Sequence, residues 1–165
     1  MKKFSFLLVL LVFLVLSVNA QIKKDEMMPV TYNVALTLAN PGGDAGNFYG
    51  YVWGLDVQGV MNVATSIDGT ASVGYLEFGR RVGHYRADFI PILVGGRYHF
   101  SDMIYGGLQI GVSVGTTSGV GSMFTWAPSV GVKISDHFDI SLKYQSGSKS
   151  GYIFSFIGLR GAYTF

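Results

Sequence analysis

The chain reads as an all-β protein, an eight-stranded antiparallel up-and-down transmembrane β-barrel, and three observations predict it. Beyond residue 28, larger apolar residues alternate with small or polar ones almost to the last residue, the pattern of strands whose successive side chains face opposite ways. The composition is 49% hydrophobic and 13% charged, with 23 glycines and no cysteine, whereas a soluble domain carries about 25% charge and about 7% glycine. The larger parity is also aromatic near strand ends and aliphatic between them, as on a lipid-facing wall. High hydrophobicity with little charge excludes intrinsic disorder. Absence of cysteine excludes a disulfide scaffold, a thiolate zinc site and a lipoprotein anchored through an N-terminal Cys.

The first twenty residues read as an export signal. Lys2 and Lys3 form a positive start, Phe4 to Val18 is almost purely apolar, and Val18-Asn19-Ala20 offers a small-residue cleavage site. The apolar run is short of the roughly 20 residues that a transmembrane helix needs. Cleavage after Ala20 leaves 145 residues beginning at Gln21, and loss of the two lysines takes the net charge from +2 to 0. No basic excess remains to argue for nucleic acid. A polar leader, residues 21–28, then precedes the barrel domain of residues 29–165.

The strands follow in order. Val30, Tyr32, Val34, Leu36 and Leu38 oppose Thr31, Asn33, Ala35, Thr37 and Ala39. Asn40-Pro41-Gly42-Gly43, with Asp44 beyond it, reads as a flexible turn. In the second strand Tyr49, Tyr51, Trp53, Leu55 and Val57 oppose Gly50, Gly54, Asp56 and Gln58. The third, about 70–79, alternates poorly. A fourth covers 89–100. In the fifth, Ile104, Leu108, Ile110, Val112 and Val114 oppose Tyr105, Gly107, Gln109, Gly111 and Ser113. The sixth sets Phe124, Trp126, Val130 and Val132 against Thr125, Ala127, Ser129, Gly131 and Lys133. The seventh sets Phe138, Ile140, Leu142 and Tyr144 against Asp139, Ser141, Lys143 and Gln145. The eighth, 152–165, sets Ile153, Ile157, Leu159, Tyr163 and Phe165 against Arg160 and Thr164.

A weak repeat helps with the third strand. Phe100-Ser101-Asp102 and Ile134-Ser135-Asp136 are 34 residues apart, and another step of 34 back reaches Ile67-Asp68. Such Ser/Asp/Gly clusters are hairpin turns. Carrying the parity over from Asp102 and Asp136 puts Leu76 and Phe78 outside, with Tyr75 and Glu77 inside.

The small parity is too sparse in charge for a solvated exterior, so it faces the lumen, and a soluble β-sandwich or calycin-like barrel is the weaker reading. Aromatics gather at the two ends: Tyr98, Phe100, Phe138, Tyr163 and Phe165 toward the short turns, and Tyr49, Tyr51, Trp53, Phe124, Trp126 and Tyr144 toward the longer links. Crossing a band of about 25 Å at a tilt of about 40° takes about 10 residues. Backbone groups in lipid must all be paired, which barrel closure supplies. The lumen charges are then Asp56, Glu77, Arg97, Lys133, Asp139, Lys143 and Arg160. An eight-stranded bore is just wide enough for side chains to fill, so these groups are expected to pair as a structural network rather than to conduct.

The chain stops on Phe165, with Tyr163 two residues before it. This ending resembles the C-terminal signal of bacterial outer-membrane barrels. With the export signal and eight strands, the mature chain resembles the small outer-membrane barrels of the OmpX-like and OmpA-transmembrane types, by pattern and termini rather than by an internal motif. The resemblance implies an outer-membrane location with both termini periplasmic and Tyr163 and Phe165 read by the barrel-assembly machinery. It places the turns 64–69, 101–102 and 135–136 inside and the links 40–48, 80–88, 116–121 and 147–151 outside.

Some barrels of this size are lipid-modifying enzymes, and lipid A deacylases use a His and a Ser two apart. His99 and Ser101 have that spacing, but they lie at the expected periplasmic end. His84 and His137 are followed two residues later by Arg86 and Asp139 and offer no such pair. No metal spacing, GxGxxG or Walker pattern occurs. The link 79–88 carries Arg80, Arg81 and Arg86, whose guanidinium groups suit lipopolysaccharide phosphates; a plain solvated loop is the simpler reading. The expectation is therefore a non-enzymatic barrel with a filled lumen and a structural or interaction role at the cell surface, monomeric, without cofactor or metal. Its partners would be membrane lipid, lipopolysaccharide and the assembly machinery. A lipid A-modifying enzyme with an unrecognised site is the alternative.

Overall fold

The computed structural model describes residues 30–81, 86–116, 121–149 and 151–165; the export signal, the leader and His84 lie outside them. Eight strands follow one another: β1 (Val30–Gly43), β2 (Tyr49–Ala64), β3 (Ile67–Arg80), β4 (Ala87–His99), β5 (Ile104–Gly115), β6 (Ser122–Lys133), β7 (Phe138–Lys149) and β8 (Tyr152–Thr164). Each pairs antiparallel with the next, and β1 pairs with β8 to close the barrel. Val30 and Phe165 share one end with the turns after β2, β4 and β6, called here the terminal end. The other is the link end.

The outer wall is apolar. Leu36, Leu55, Val94, Leu108, Ile110, Val130, Leu142 and Leu159 are exposed around the middle, with Tyr98, Phe100, Phe138, Tyr163 and Phe165 exposed at the terminal end. Tyr51, Phe124 and Trp126 are exposed toward the links. An apolar surface running round the molecule far exceeds the few hundred Å² that soluble monomers expose. It matches the lipid-facing band of a transmembrane barrel.

Three local departures from the sequence expectation have physical reasons. Asn40-Pro41-Gly42-Gly43 is not a turn but the end of β1. Beyond Ala39 this strand pairs with β8 alone, Pro41 lying opposite Phe156, and a strand without a partner on one side tolerates the missing N–H of proline. The chain turns only at Gly43, where φ is 59°, into a short 3-10 helix, Asp44–Asn47. Second, the register of β2 on β3 shifts between Tyr49 and Tyr51. This irregularity swings Tyr49 into the lumen, where its ring packs 5.5 Å from that of Phe78, while Tyr51 stays outside. Third, β7 continues to Lys149 and β8 begins at Tyr152, so residues 147–149, expected in a link, belong to β7.

β4 and β5 approach closely at two glycines. A Cβ at Gly95 would overlap the Leu108 carbonyl oxygen, and one at Gly111 would overlap that of Ile92. At Gly161 the nearest atom, on Phe138, would be 3.8 Å away. Gly95→Ala is expected to destabilise the refolded barrel by about 1–3 kcal/mol, the usual cost of overpacking, with Gly161→Ala close to neutral. Urea unfolding in detergent micelles measures both.

Candidate functional site

The lumen divides into an ionic half toward the terminal end and an aromatic half toward the links. Inward positions of β1, β2, β4, β5, β7 and β8 converge in the first. Arg160 donates from Nε to Asp56 Oδ2 at 3.0 Å and from Nη2 to Asp56 Oδ1 at 2.7 Å. This two-point arrangement is the strongest form of a guanidinium–carboxylate contact. Arg160 Nη2 also donates to Asn33 Oδ1 at 2.9 Å, and the Asn33 amide donates to Gln58 Oε1 at 3.3 Å. The same Gln58 oxygen accepts from Arg97. The Arg97 guanidinium lies 4.6 Å above the Tyr105 ring centre, and the Tyr105 hydroxyl donates to Asp139 Oδ1 at 2.6 Å. One connected path thus runs from Asp56 to Asp139 across the bore. Lys143 is buried beside it, under the charges of Asp56 and Arg160.

Nearer the mouth, a His99 ring nitrogen meets Asp68 Oδ2 at 2.6 Å. Lys133 is exposed at the rim, where it lines cavities of about 330 and 520 Å³ that open at the terminal end. The sequence pointed to neither the Asp68–His99 pair nor Tyr105. Tyr105 was visible as the one aromatic residue among the glycines of its parity; Asp68 was hidden by its assignment to a turn. Ser101 sits in the turn after β4, its hydroxyl accepting from the Ile104 N–H at 3.1 Å, while the described hydrogen bond of the His99 ring is to Asp68 rather than to a serine.

The aromatic half was not expected. Val52, Leu76, Phe78, Phe89, Met123 and Phe156 are buried in one cluster with Ala45 and Ala87. Phe78 meets Phe89 edge-on at 5.6 Å and Phe154 at 5.8 Å, and Phe89 lies 5.3 Å from Phe154. Edge-to-face rings at these distances are favourable beyond the area they bury. The signal was present where apolar residues occupy both parities, as in Ile153-Phe154-Ser155-Phe156-Ile157.

Of the charges assigned to the lumen, Asp56, Arg97, Asp139, Lys143 and Arg160 lie inside, and Lys133 lies at its mouth. Glu77 does not belong there. Asp102 and Asp136 are turn residues two before the first outward residue of the next strand, Ile104 and Phe138, whereas Asp68 follows its counterpart Ile67 by one. The offset is three residues, an odd number, so the inferred parity inverts. Leu76 and Phe78 point inward, and Tyr75 and Glu77 point outward.

On the outer wall at the link end, Arg86 meets Asp88 at 3.0 Å and Glu77 at 3.6 Å, and Tyr75 hydrogen-bonds Asp88. Asp88 first, then Glu77, raises the Arg86 guanidinium above its ordinary pKa. Arg80 and Arg81, at the end of β3, are exposed, and Arg81 donates to the Gly46 carbonyl at 3.4 Å. Among the described residues no cluster of metal-binding side chains occurs.

A closed barrel with an apolar wall, a hydrogen-bonded ionic interior and a phenylalanine stopper defines a small transmembrane β-barrel of the filled kind. No protein-family model and no curated protein matches the sequence. Solved structures match in fold. The attachment invasion locus protein Ail of Yersinia pestis, in complex with the heparin analogue sucrose octasulfate, is similar at 15% identity over 82% of this chain and 97% of that one, with a TM-score of 0.57. A de novo designed transmembrane β-barrel gives 14% identity, 85% and 99% coverage and a TM-score of 0.57. The N-terminal barrel domain of Pseudomonas aeruginosa OprF gives 10%, 81%, 97% and 0.53. The fold is that of the small outer-membrane barrels.

Removing Arg160 leaves the Asp56 carboxylate buried without its partner, which costs about 3–5 kcal/mol for such a pair. Arg160→Met is expected to lose that much in urea unfolding. The double variant Asp56→Asn with Arg160→Met should recover a large part of it.

Proposed function

We propose that the chain is exported, loses residues 1–20, and resides in the bacterial outer membrane as a monomer with both termini in the periplasm. The observation that carries this reading is the continuous band of exposed aliphatic side chains around a closed barrel, bounded at both ends by aromatics. The terminal end then faces the periplasm and the links face outward. Its role is structural or interactional: it holds a sealed scaffold in the membrane and presents the link end to what lies outside. The cross-bonded lumen and the Phe78–Phe89–Phe154 stopper support sealing rather than transport. An interaction role without catalysis is supported by the Ser101 hydroxyl, which engages the Ile104 N–H of its own turn.

The surface interaction we assign to the link end is with anionic sugars, lipopolysaccharide first. Arg80 and Arg81 are exposed there, and Arg86 is oriented by two carboxylates rather than presented alone. Ail, of the same fold, is seen with sucrose octasulfate, which by its name is a sugar bearing eight sulfates. Tyr163 and Phe165, exposed at the end of β8, are assigned as the residues that the assembly machinery reads.

Unheated protein extracted in mild detergent should migrate differently from heated protein on a gel; equal mobility would sink the barrel-in-membrane reading. Phe165→Ser should lower the heat-modifiable fraction recovered from cells while leaving refolding of purified protein into detergent unchanged. Arg80→Ala with Arg81→Ala should weaken binding to immobilised lipopolysaccharide several-fold and flatten its salt dependence. Retention equal to the unmutated protein would remove those two arginines from the interface.

A further inference from the structure

In the middle of the lumen lies a cavity of about 20 Å³, somewhat above the roughly 10–15 Å³ that the centre of one water molecule requires. Arg97, Lys143 and Arg160 all line it, Tyr105, Gln109 and Ser141 are among the uncharged neighbours, and its wall holds no carboxylate. The nearby acids are committed elsewhere. Asp56 accepts both contacts from Arg160, and Asp139 accepts the Tyr105 hydroxyl.

Lys143 is the decisive group. Only 8% of the residue is exposed, yet its ammonium makes no hydrogen bond or ion pair with the described residues, Asp56 and Arg160 being the charges that act on it from a distance. Arg97 engages one nitrogen with Gln58, lays its plane on Tyr105 and lines the same cavity. A buried charge without a counter-charge is strongly unfavourable. A water molecule here supplies an acceptor but no charge.

We propose that this chamber binds a small monovalent anion of the halide class, held by Lys143 Nζ and the Arg97 guanidinium, with Arg160 adding to the positive field. The cavity is the size of a single small particle, its wall is rich in donors, and the charge it lacks is negative. Sulfate and phosphate are too large for it. Arg97 also lines the wider cavity of about 330 Å³ at the terminal end, together with Lys133, Asp68, Asp136 and Asp139; the carboxylates stay in that outer cavity and do not line the chamber.

The test uses the full mature protein refolded in detergent. Its unfolding midpoint is followed against sodium chloride, with sodium gluconate keeping ionic strength constant. The midpoint should rise with chloride and saturate, and Lys143→Met, which removes the ammonium while keeping an unbranched stem as far as the ε-carbon, should abolish the shift. In case that variant folds poorly, crystals of the unmutated protein grown in sodium bromide are measured at the bromine absorption edge. An anomalous peak should appear between Lys143 and Arg97. A chloride shift that survives Lys143→Met in full overturns the site. Absence of bromide from the chamber overturns it whatever the melting curves show.

Discussion

The structure depends on the pairing of every backbone N–H and C=O in a solvent that offers no hydrogen bonds. The seam between β1 and β8, paired from Asn33 with Thr164 to Gly43 with Phe154, meets this requirement by removing both sheet edges. Closure at eight strands fixes a bore that side chains alone can fill. Each inward residue therefore carries two obligations at once: it must take up volume, and it must leave no polar group unanswered.

The two halves of the lumen meet those obligations differently. At the link end, interlocked phenylalanines supply volume and bring no charge. At the terminal end, long polar side chains supply volume and bond to one another, with Lys143 left over beside them. In both halves a bulky inward residue lies against a glycine across the strand boundary. A Cβ at Gly54 would strike the Leu76 side chain, one at Gly131 the Tyr105 ring, and one at Gly147 the Met123 sulfur. The abundance of glycine on the inward parity is thus not a sign of an open bore. It is the complement of the few large residues that occupy it, in the alternation of large and small that close packing demands.

This complementarity separates what was legible in the sequence from what was not. Strand number, order and the outward face of most strands follow from period-two alternation, because an exterior in hydrocarbon tolerates no mixed pattern. The ionic positions Asp56, Arg97, Asp139, Lys143 and Arg160 were legible for the same reason, being isolated charges among small residues. The stopper was not, because Phe78, Phe89, Phe154 and Phe156 are as apolar as the outer wall, and alternation loses its contrast when both faces are greasy. β3 suffered most. There the inward residues Leu76 and Phe78 outweigh the outward Tyr75 and Glu77 in hydrophobicity, so the residues themselves point to the wrong face. Only the register with β2, which sets Leu76 opposite Gly54 and Glu77 opposite Trp53, resolves it.

Glu77 on the outer wall also locates the edge of the apolar band. A carboxylate facing lipid near mid-membrane would be severely unfavourable, but its cost falls toward the interface. Glu77, Asp88 and Arg86 meet at the height of Trp53 and Tyr75, whose rings lie 5.8 Å apart, the aromatic level that borders the hydrocarbon. At the other end of the same strand, Ile67 is the first outward residue. From Ile67 to Glu77, ten steps of about 3.3 Å at a tilt of about 40° rise by about 25 Å, the height of the apolar band of such barrels. The outward charge that broke the expected alternation therefore stands where β3 leaves the apolar layer. The inward phenylalanines beside it seal the bore at the same level.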